Sequence, residues 1–200
     1  LARTELSKVI DRFRRWENEG RLNNEEDVKE LIQELFEKVL GWDKDDIYKE
    51  RHPGPTSKRA DFQFRINGIT KLILEAKDLS KPWTQTIFKQ AIGYGWGSNQ
   101  EYVVLSNFKN WILFNAKWKD KNKKIFEIEN IEDCLKSDIQ LDHLLRLSKE
   151  SIATGKLDEF SLSIGKRLPI EPISERLLYD LRKWRELLLK NIKELNGNLA

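Results

Sequence analysis

Asp61, Glu75 and Lys77 flank Asn67-Gly68, inside two stretches that alternate apolar and polar residues. Such alternation is the mark of paired strands with one buried face. Two carboxylates and a lysine on one side of a hairpin can hold Mg²⁺ and activate a water. Whether they share a side depends on register, because a slip of one residue sends every side chain to the opposite face. With Asn67-Gly68 as a two-residue turn, Asp61 would pair with Leu74 and point away from Glu75, and Phe62 would share a face with Lys71, Glu75 and Lys77. A three-residue loop, Ile66-Asn67-Gly68, with Gly68 left-handed in a bulge, pairs Asp61 with Ile73 instead. Phe62, Phe64, Leu72, Leu74 and Ala76 then form one face, and Asp61, Gln63, Arg65, Lys71, Glu75 and Lys77 the other. The three-residue loop is the register expected. Taken by itself, the hairpin is equally consistent with a plain polar sheet face.

The elements around this hairpin must position it. Residues 4–16 read as a charged amphipathic helix, broken at 17–20. In a second helix Asn23 serves as N-cap, with Glu26 three positions on completing a capping box. Val28, Ile32, Leu35 and Val39 keep helical spacing up to a stop at Gly41. Residues 47–50 suggest a short strand, and His52-Pro53-Gly54-Pro55 a loop. A helix over 84–94 follows Pro82, with Ile87, Ala91 and Tyr94 on one side and Gly93, Gly95 and Gly97 ending it. The continuous apolar run 102–105 predicts a strand buried on both faces, and 107–110 turn it into a further strand at 111–114. After a Lys-rich, solvated loop at 117–124, only helical patterns are read: one at 142–149, and an apolar stripe of Leu177, Leu178, Leu181, Trp184, Leu188 and Ile192 that needs a cover. The expectation is an α/β fold, a mixed sheet with helices packed on it, divided near Gly155 into 1–154 and a helical extension, 155–200.

Composition bounds the rest. The chain has 200 residues, 39% of them hydrophobic, with 7 Trp and 9 Phe, enough for a real core. A net charge of +3 is too small to attract phosphate in bulk, so any such attraction needs a local patch. Cys134 is the single cysteine, which excludes an intramolecular disulfide and points to a reducing, cytoplasmic setting. No apolar run approaches the roughly 20 residues of a membrane span. The sequence contains no Met, not even an initiator, so the chain is expected to be part of a longer product. No phosphate-binding glycine loop is present: Gly93, Gly95 and Gly97 follow a helix and lack the lysine of such a turn. His52 and His143 lack metal-ligand spacing.

Asp61 followed by Glu75-Ala76-Lys77, after a helix with an acidic start, resembles the PD-(D/E)xK nuclease superfamily. Gln90-Ala91-Ile92-Gly93-Tyr94 fits the QxxxY helix of its RecB-like members. Asn24-Glu25-Glu26 leading to Leu40-Gly41-Trp42-Asp43 resembles the opening of nuclease domains in type I restriction subunits and in type IIG enzymes, which fuse nuclease to methyltransferase. Leu181-Arg182-Lys183-Trp184-Arg185-Glu186-Leu187-Leu188 is similar to the helical joint that follows the nuclease in type IIG proteins. Each motif alone is weakly specific, but together they cover most of the chain in the right order. Ala60 stands where the superfamily name has Pro, a structural rather than chemical position.

The resemblance implies a restriction-endonuclease-like fold and Mg²⁺-dependent hydrolysis of double-stranded DNA, in a polypeptide that also carries methyltransferase and target-recognition regions. Asp61 and Glu75 would supply carboxylates to the metal and Ala76 its carbonyl, since it lies between the two site side chains on the strand. Lys77 would orient or deprotonate the attacking water and neutralise phosphate charge. Gln90 would bond near the metal water or a phosphate, with Tyr94 one helical turn on. Glu25 and Glu26 compete for the acidic helix position; Glu25 shares the phase of Val28 and Ile32 and is preferred, leaving Glu26 to the cap. Lys58, Arg59, Lys71, Lys81 and Lys89 are candidates for phosphate contacts, which position DNA without reading its sequence. Two other functions stay open at this stage: an inactive DNA-binding or scaffolding module of the same fold, and a repair or mobile-element nuclease, which fold analogy cannot separate from a restriction enzyme.

Overall fold

The computed structural model describes residues 2–51, 60–119, 122–169 and 173–197. Strands β2 (Ala60–Ile66) and β3 (Ile69–Ala76) form the expected hairpin. Asn67 and Gly68 sit at φ 52° and 76° and close a two-residue turn, pairing Ile66 with Ile69 and Arg65 with Thr70. The register then steps. Phe64 faces Leu72, so Lys71 is the extra residue of a β-bulge, and Gln63 faces Ile73. The expected pairing of Asp61 with Ile73 is therefore corrected. The expected faces survive because a tight turn plus one bulged residue changes the register by the same parity as a three-residue loop. Phe62, Phe64, Leu72, Leu74 and Ala76 all lie in the main core.

Four more strands complete a mixed sheet in the order β1-β2-β3-β4-β5-β6. β1 (Ile47–Arg51) is antiparallel to β2, and β4 (Tyr102–Ser106) runs parallel to β3. β5 (Trp111–Asn115) and β6 (Lys124–Ile128) are each antiparallel to the strand before. β6 corrects the expectation of helices alone after residue 117: Ile125, Phe126 and Ile128 are buried beside β5.

Helices α1 (Ala2–Asn18) and α2 (Glu25–Lys38) cover one face of the sheet. They bury Leu6, Val9, Ile10 and Phe13, and Val28, Leu31, Ile32, Leu35 and Phe36, each at i, i+3 or i+4 spacing. The N-cap of α2 is Asn24, whose side chain accepts from the Glu26 N–H, and not Asn23. Glu26 is thus one position too early for a capping box, whose acid belongs three residues after the cap.

Helix α3 (Gln85–Gly97) joins β3 to β4 and covers the other face, where Ala91 packs on Val103, Leu105, Ile112 and Phe114, and Tyr94 on Ala60 and Ile73. Contrary to expectation it runs on through Gly93 and Gly95. The reason at Gly95 is steric: a Cβ there would collide with Ala116 and come within 2.7 Å of Val103 Cγ2. The glycine lets the helix approach the sheet.

Helices α4 (Asp138–Leu145), α5 (Lys149–Ala153) and α6 (Lys156–Ser163) add Leu144 and Leu157 to the main core. The helix read at 142–149 therefore starts earlier and breaks before Lys149. The chain divides into two compact units, Leu1–Arg167 and Leu168–Ala200. The break expected near Gly155 falls inside the first. The second contains α7 (Ile173–Gly197), whose Leu177, Leu181, Trp184, Leu188 and Ile192 are exposed. No helix of the described residues is long and apolar enough to cross a membrane.

Candidate active site

Phe62 pairs with Leu74, and continuing that antiparallel register by one residue sets Asp61 opposite Glu75. Opposed residues point to the same face. Lys77 extends β3 beyond its last strand residue, its N–H donating to the Ser106 carbonyl at 2.9 Å. Its side chain turns back, and the ammonium donates to Glu75 Oε1 at 2.6 Å and to the Ala76 carbonyl at 2.7 Å. Asp61 Oδ2 accepts from the Ala76 N–H at 2.7 Å. From α3, Gln90 Nε2 donates to Glu75 Oε1 at 3.0 Å and to the Tyr94 hydroxyl at 2.8 Å. From the first turns of α2, Glu25 Oε2 stands 3.7 Å from Lys77 Nζ and 3.9 Å from Lys81 Nζ, while Lys29 Nζ lies 2.8 Å from Asp61 Oδ1.

This cluster is largely dry: Glu75 is 3% exposed and Lys77 9%. Burial, and then the negative charge of Asp61, push the Glu75 carboxyl up to about 7 against the pull of Lys77. Burial disfavours the Lys77 ammonium, but the bond to Glu75 and the charges of Glu25 and Asp61 outweigh it, so its pKa is raised. Lys29 is raised too, the contacts with Asp61 and Glu26 overcoming burial. Lys77 is therefore held as a cation, and Glu75 carries charge at a cost.

The structure brings together Asp61, Glu75, Ala76, Lys77, Gln90 and Glu25. Of the two competing acids, Glu25 turns toward Lys77, and Glu26 bonds Lys29 at 2.8 Å. Lys81 joins the rim, 2.9 Å from Asp78, the buried residue after Lys77. Lys89 is exposed on α3 next to Gln90. Lys71 is not at the site: it occupies the bulge at the turn end of β3 and lines a separate cavity with Tyr102, Asp158 and Arg167. Lys58 and Arg59 lie outside the described residues. Sequence reasoning missed Lys29. The signal was its position one helical turn after Glu25, which puts both on one face of α2.

Hard-oxygen chemistry suits the site. Among the described residues no three His, Cys, Asp or Glu side chains gather as a ready-made metal cluster. Mg²⁺ commonly accepts one or two carboxylates, with the remaining oxygens from water and substrate. Glu75 Oε1 and the Ala76 carbonyl already converge on one cation, the Lys77 ammonium. Burial comes first in raising Glu75, and the repulsion by Asp61 that adds to it is of the kind a divalent ion relieves. The residues present fit Mg²⁺.

No known family profile matches this chain. In sequence it is similar to the type II restriction enzyme and methyltransferase RM.Eco57I of Escherichia coli, 23% identical over 225 aligned residues that cover 98% of this chain and 22% of that protein. The chain thus spans a little over a fifth of that relative's length. Among solved structures, the type IIG restriction endonuclease BpuSI aligns with a TM-score of 0.39 and 20% identity, over 56% of this chain and 14% of that one.

Proposed function

We propose that this chain is the Mg²⁺-dependent DNA endonuclease part of a restriction-modification protein and hydrolyses phosphodiester bonds of double-stranded DNA. The observation that carries the reading is the convergence on one oxygen: Glu75 Oε1, opposite Asp61, accepts from both Lys77 and Gln90. A polar sheet face by itself would not bury a carboxylate among such partners. The sequence likeness to a protein that is both restriction enzyme and methyltransferase supports the restriction-modification setting, with methyltransferase and target-recognition regions in the same polypeptide.

Asp61, Glu75 and the Ala76 carbonyl would hold Mg²⁺, which would supply Lewis acidity and a lowered water pKa. Gln90 fixes the rotamer of Glu75, and Tyr94 fixes that of Gln90. Lys77, which touches Glu75 Oε1 and the Ala76 carbonyl, orients or deprotonates the attacking water and neutralises phosphate charge. Glu25 and Lys81 hold charge at the rim, where Lys81 faces an incoming phosphate.

The test is plasmid cleavage by the full-length protein. Asp61→Ala and Glu75→Ala each abolish Mg²⁺-dependent cutting while circular dichroism stays native; near-normal cleavage by Glu75→Ala would sink the assignment. One observation favours a second reading, an inactive DNA-binding module: Lys29 and Lys77 already neutralise the two carboxylates. That reading is the outcome if the wild-type protein binds DNA but cuts no faster with Mg²⁺ than with a chelator.

A further inference from the structure

Lys29 is 8% exposed, and a lysine is rarely so buried unless its charge is met. Its ammonium lies 2.8 Å from Asp61 Oδ1, 2.8 Å from Glu26 Oε1 and 3.5 Å from Glu25 Oε1. It comes from α2, which packs on the opposite face of the sheet from α3, yet it reaches the same carboxylate that the hairpin presents. Asp61 is consequently held at both oxygens, Oδ2 by the Ala76 N–H and Oδ1 by Lys29.

We propose that Lys29 is a positioning residue for the endonuclease: its ammonium holds the Asp61 carboxylate in the rotamer that serves the site and docks the acidic first turn of α2 against it. Without that cation three carboxylates of the described residues would meet. Glu25 and Glu26 can swing to water, their side chains being 29% and 67% exposed, but Asp61 is 13% exposed and tethered to its strand. The charge left uncompensated is that of Asp61. Buried and engaged with carboxylates, Lys29 is assigned no DNA contact in this proposal.

The kinetic consequence rests on the endonuclease reading; the hold on Asp61 does not, and the experiment separates the two. Lys29→Met keeps the aliphatic stem and removes the charge. In the full-length protein it lowers kcat by about 10- to 100-fold, as misplacement of a reacting group does, with KM for DNA and its salt dependence unchanged. In the metal-free protein, denaturation midpoints of Lys29→Met, Asp61→Asn and the double variant are compared. The double variant is no less stable than the weaker single one, because both ends of one contact are gone. An unchanged kcat, a raised KM at constant kcat, or additive losses of stability overturn the proposal. If the wild type does not cleave, the endonuclease reading fails and the cycle alone decides. If Lys29→Met fails to fold, the double variant decides: folding supports the hold on Asp61, and failure to fold shows that Lys29 only packs.

Discussion

Glu75 is the residue at which catalysis and stability should oppose each other. In the folded chain its carboxyl is raised from 4.5 to about 7, by burial first and then by Asp61. Because the unfolded chain ionises first, raising the pH from 4.5 toward 7 removes stability, and above 7 the loss is constant. At about 1.4 kcal/mol per pH unit the shift corresponds to about 3 kcal/mol, an upper bound for what a neutral side chain of the same shape recovers. The shift is already net of the ion pair with Lys77 at 2.6 Å, and water that reaches the ionised carboxylate takes up part of the cost. A net stabilisation of about 1–2 kcal/mol remains, or a rise in Tm of about 2–8 °C for a chain of this size. The assay is thermal melting of wild type and Glu75→Gln in chelator from pH 4 to 8.5, with plasmid cleavage measured in parallel. The variant should lose cleavage, melt higher at pH 8 and converge with wild type near pH 4. Mg²⁺ should raise the Tm of the wild type more than that of the variant. A variant that melts lower than wild type at pH 8, or a gap that widens as pH falls, refutes the account of Glu75 as a carboxylate ionised against its surroundings.

The other predictions concern the elements that carry the site. Gly95→Ala should destabilise by about 1–3 kcal/mol through overpacking against Ala116 and Val103, whereas Gly93→Ala, with nothing within 4 Å of the new Cβ, should gain about 0.5–1 kcal/mol of helix propensity; chemical denaturation of the pair checks this. Asn24→Ala should lose about 1 kcal/mol of cap while Glu26→Gln leaves melting nearly unchanged, and Glu25→Gln should lower the cleavage rate without shifting the melt. His143 stacks on Phe126 at 4.9 Å between Asp142 and Arg146, and burial lowers its pKa from 6.5. The unfolded chain therefore takes up this proton first as pH falls below 6.5, and the wild type should lose stability relative to His143→Phe between pH 6.5 and 5 in denaturant titrations.

The faces of the hairpin were legible because alternation of Phe62, Phe64, Leu72 and Leu74 against Asp61 and Glu75 is a parity signal, and parity is what the buried layer enforces. The register was not, because a three-residue loop and a two-residue turn with a bulge at Lys71 leave identical alternation. Glu25 came out in the right phase even with the cap placed one residue early, since the spacing to Val28 and Ile32 is independent of which asparagine starts the helix. α3 runs past the stop its glycines suggest because Gly95 is there for a close approach to β4. β6, Lys124–Ile128, carries too little pattern beside a lysine run to be read from the sequence, and pairing with β5 makes it a strand. Lys29 carries one signal in the sequence, its place one turn after Glu25, but a lysine in a charged helix reads equally as solvent surface until the strand it reaches is known.

The bulge at Lys71 gives the hairpin something like a reading frame. Upstream of it, nearest the turn, Arg65 and Thr70 are set by the turn alone; beyond it, each side chain toward Asp61 and Glu75 is offset by the one additional residue. Replacing Lys71, which is exposed, changes a surface side chain and little else. Deleting it slides the frame, so that keeping the turn would force Asp61 toward the phenylalanine layer, and keeping the layer would break the turn. By this geometry the position tolerates a change of residue but not its loss without a compensating change in the turn. Length, rather than identity, is what this position conserves physically, and a chain one residue shorter here would have to lengthen its Asn67-Gly68 loop to keep the two carboxylates in company.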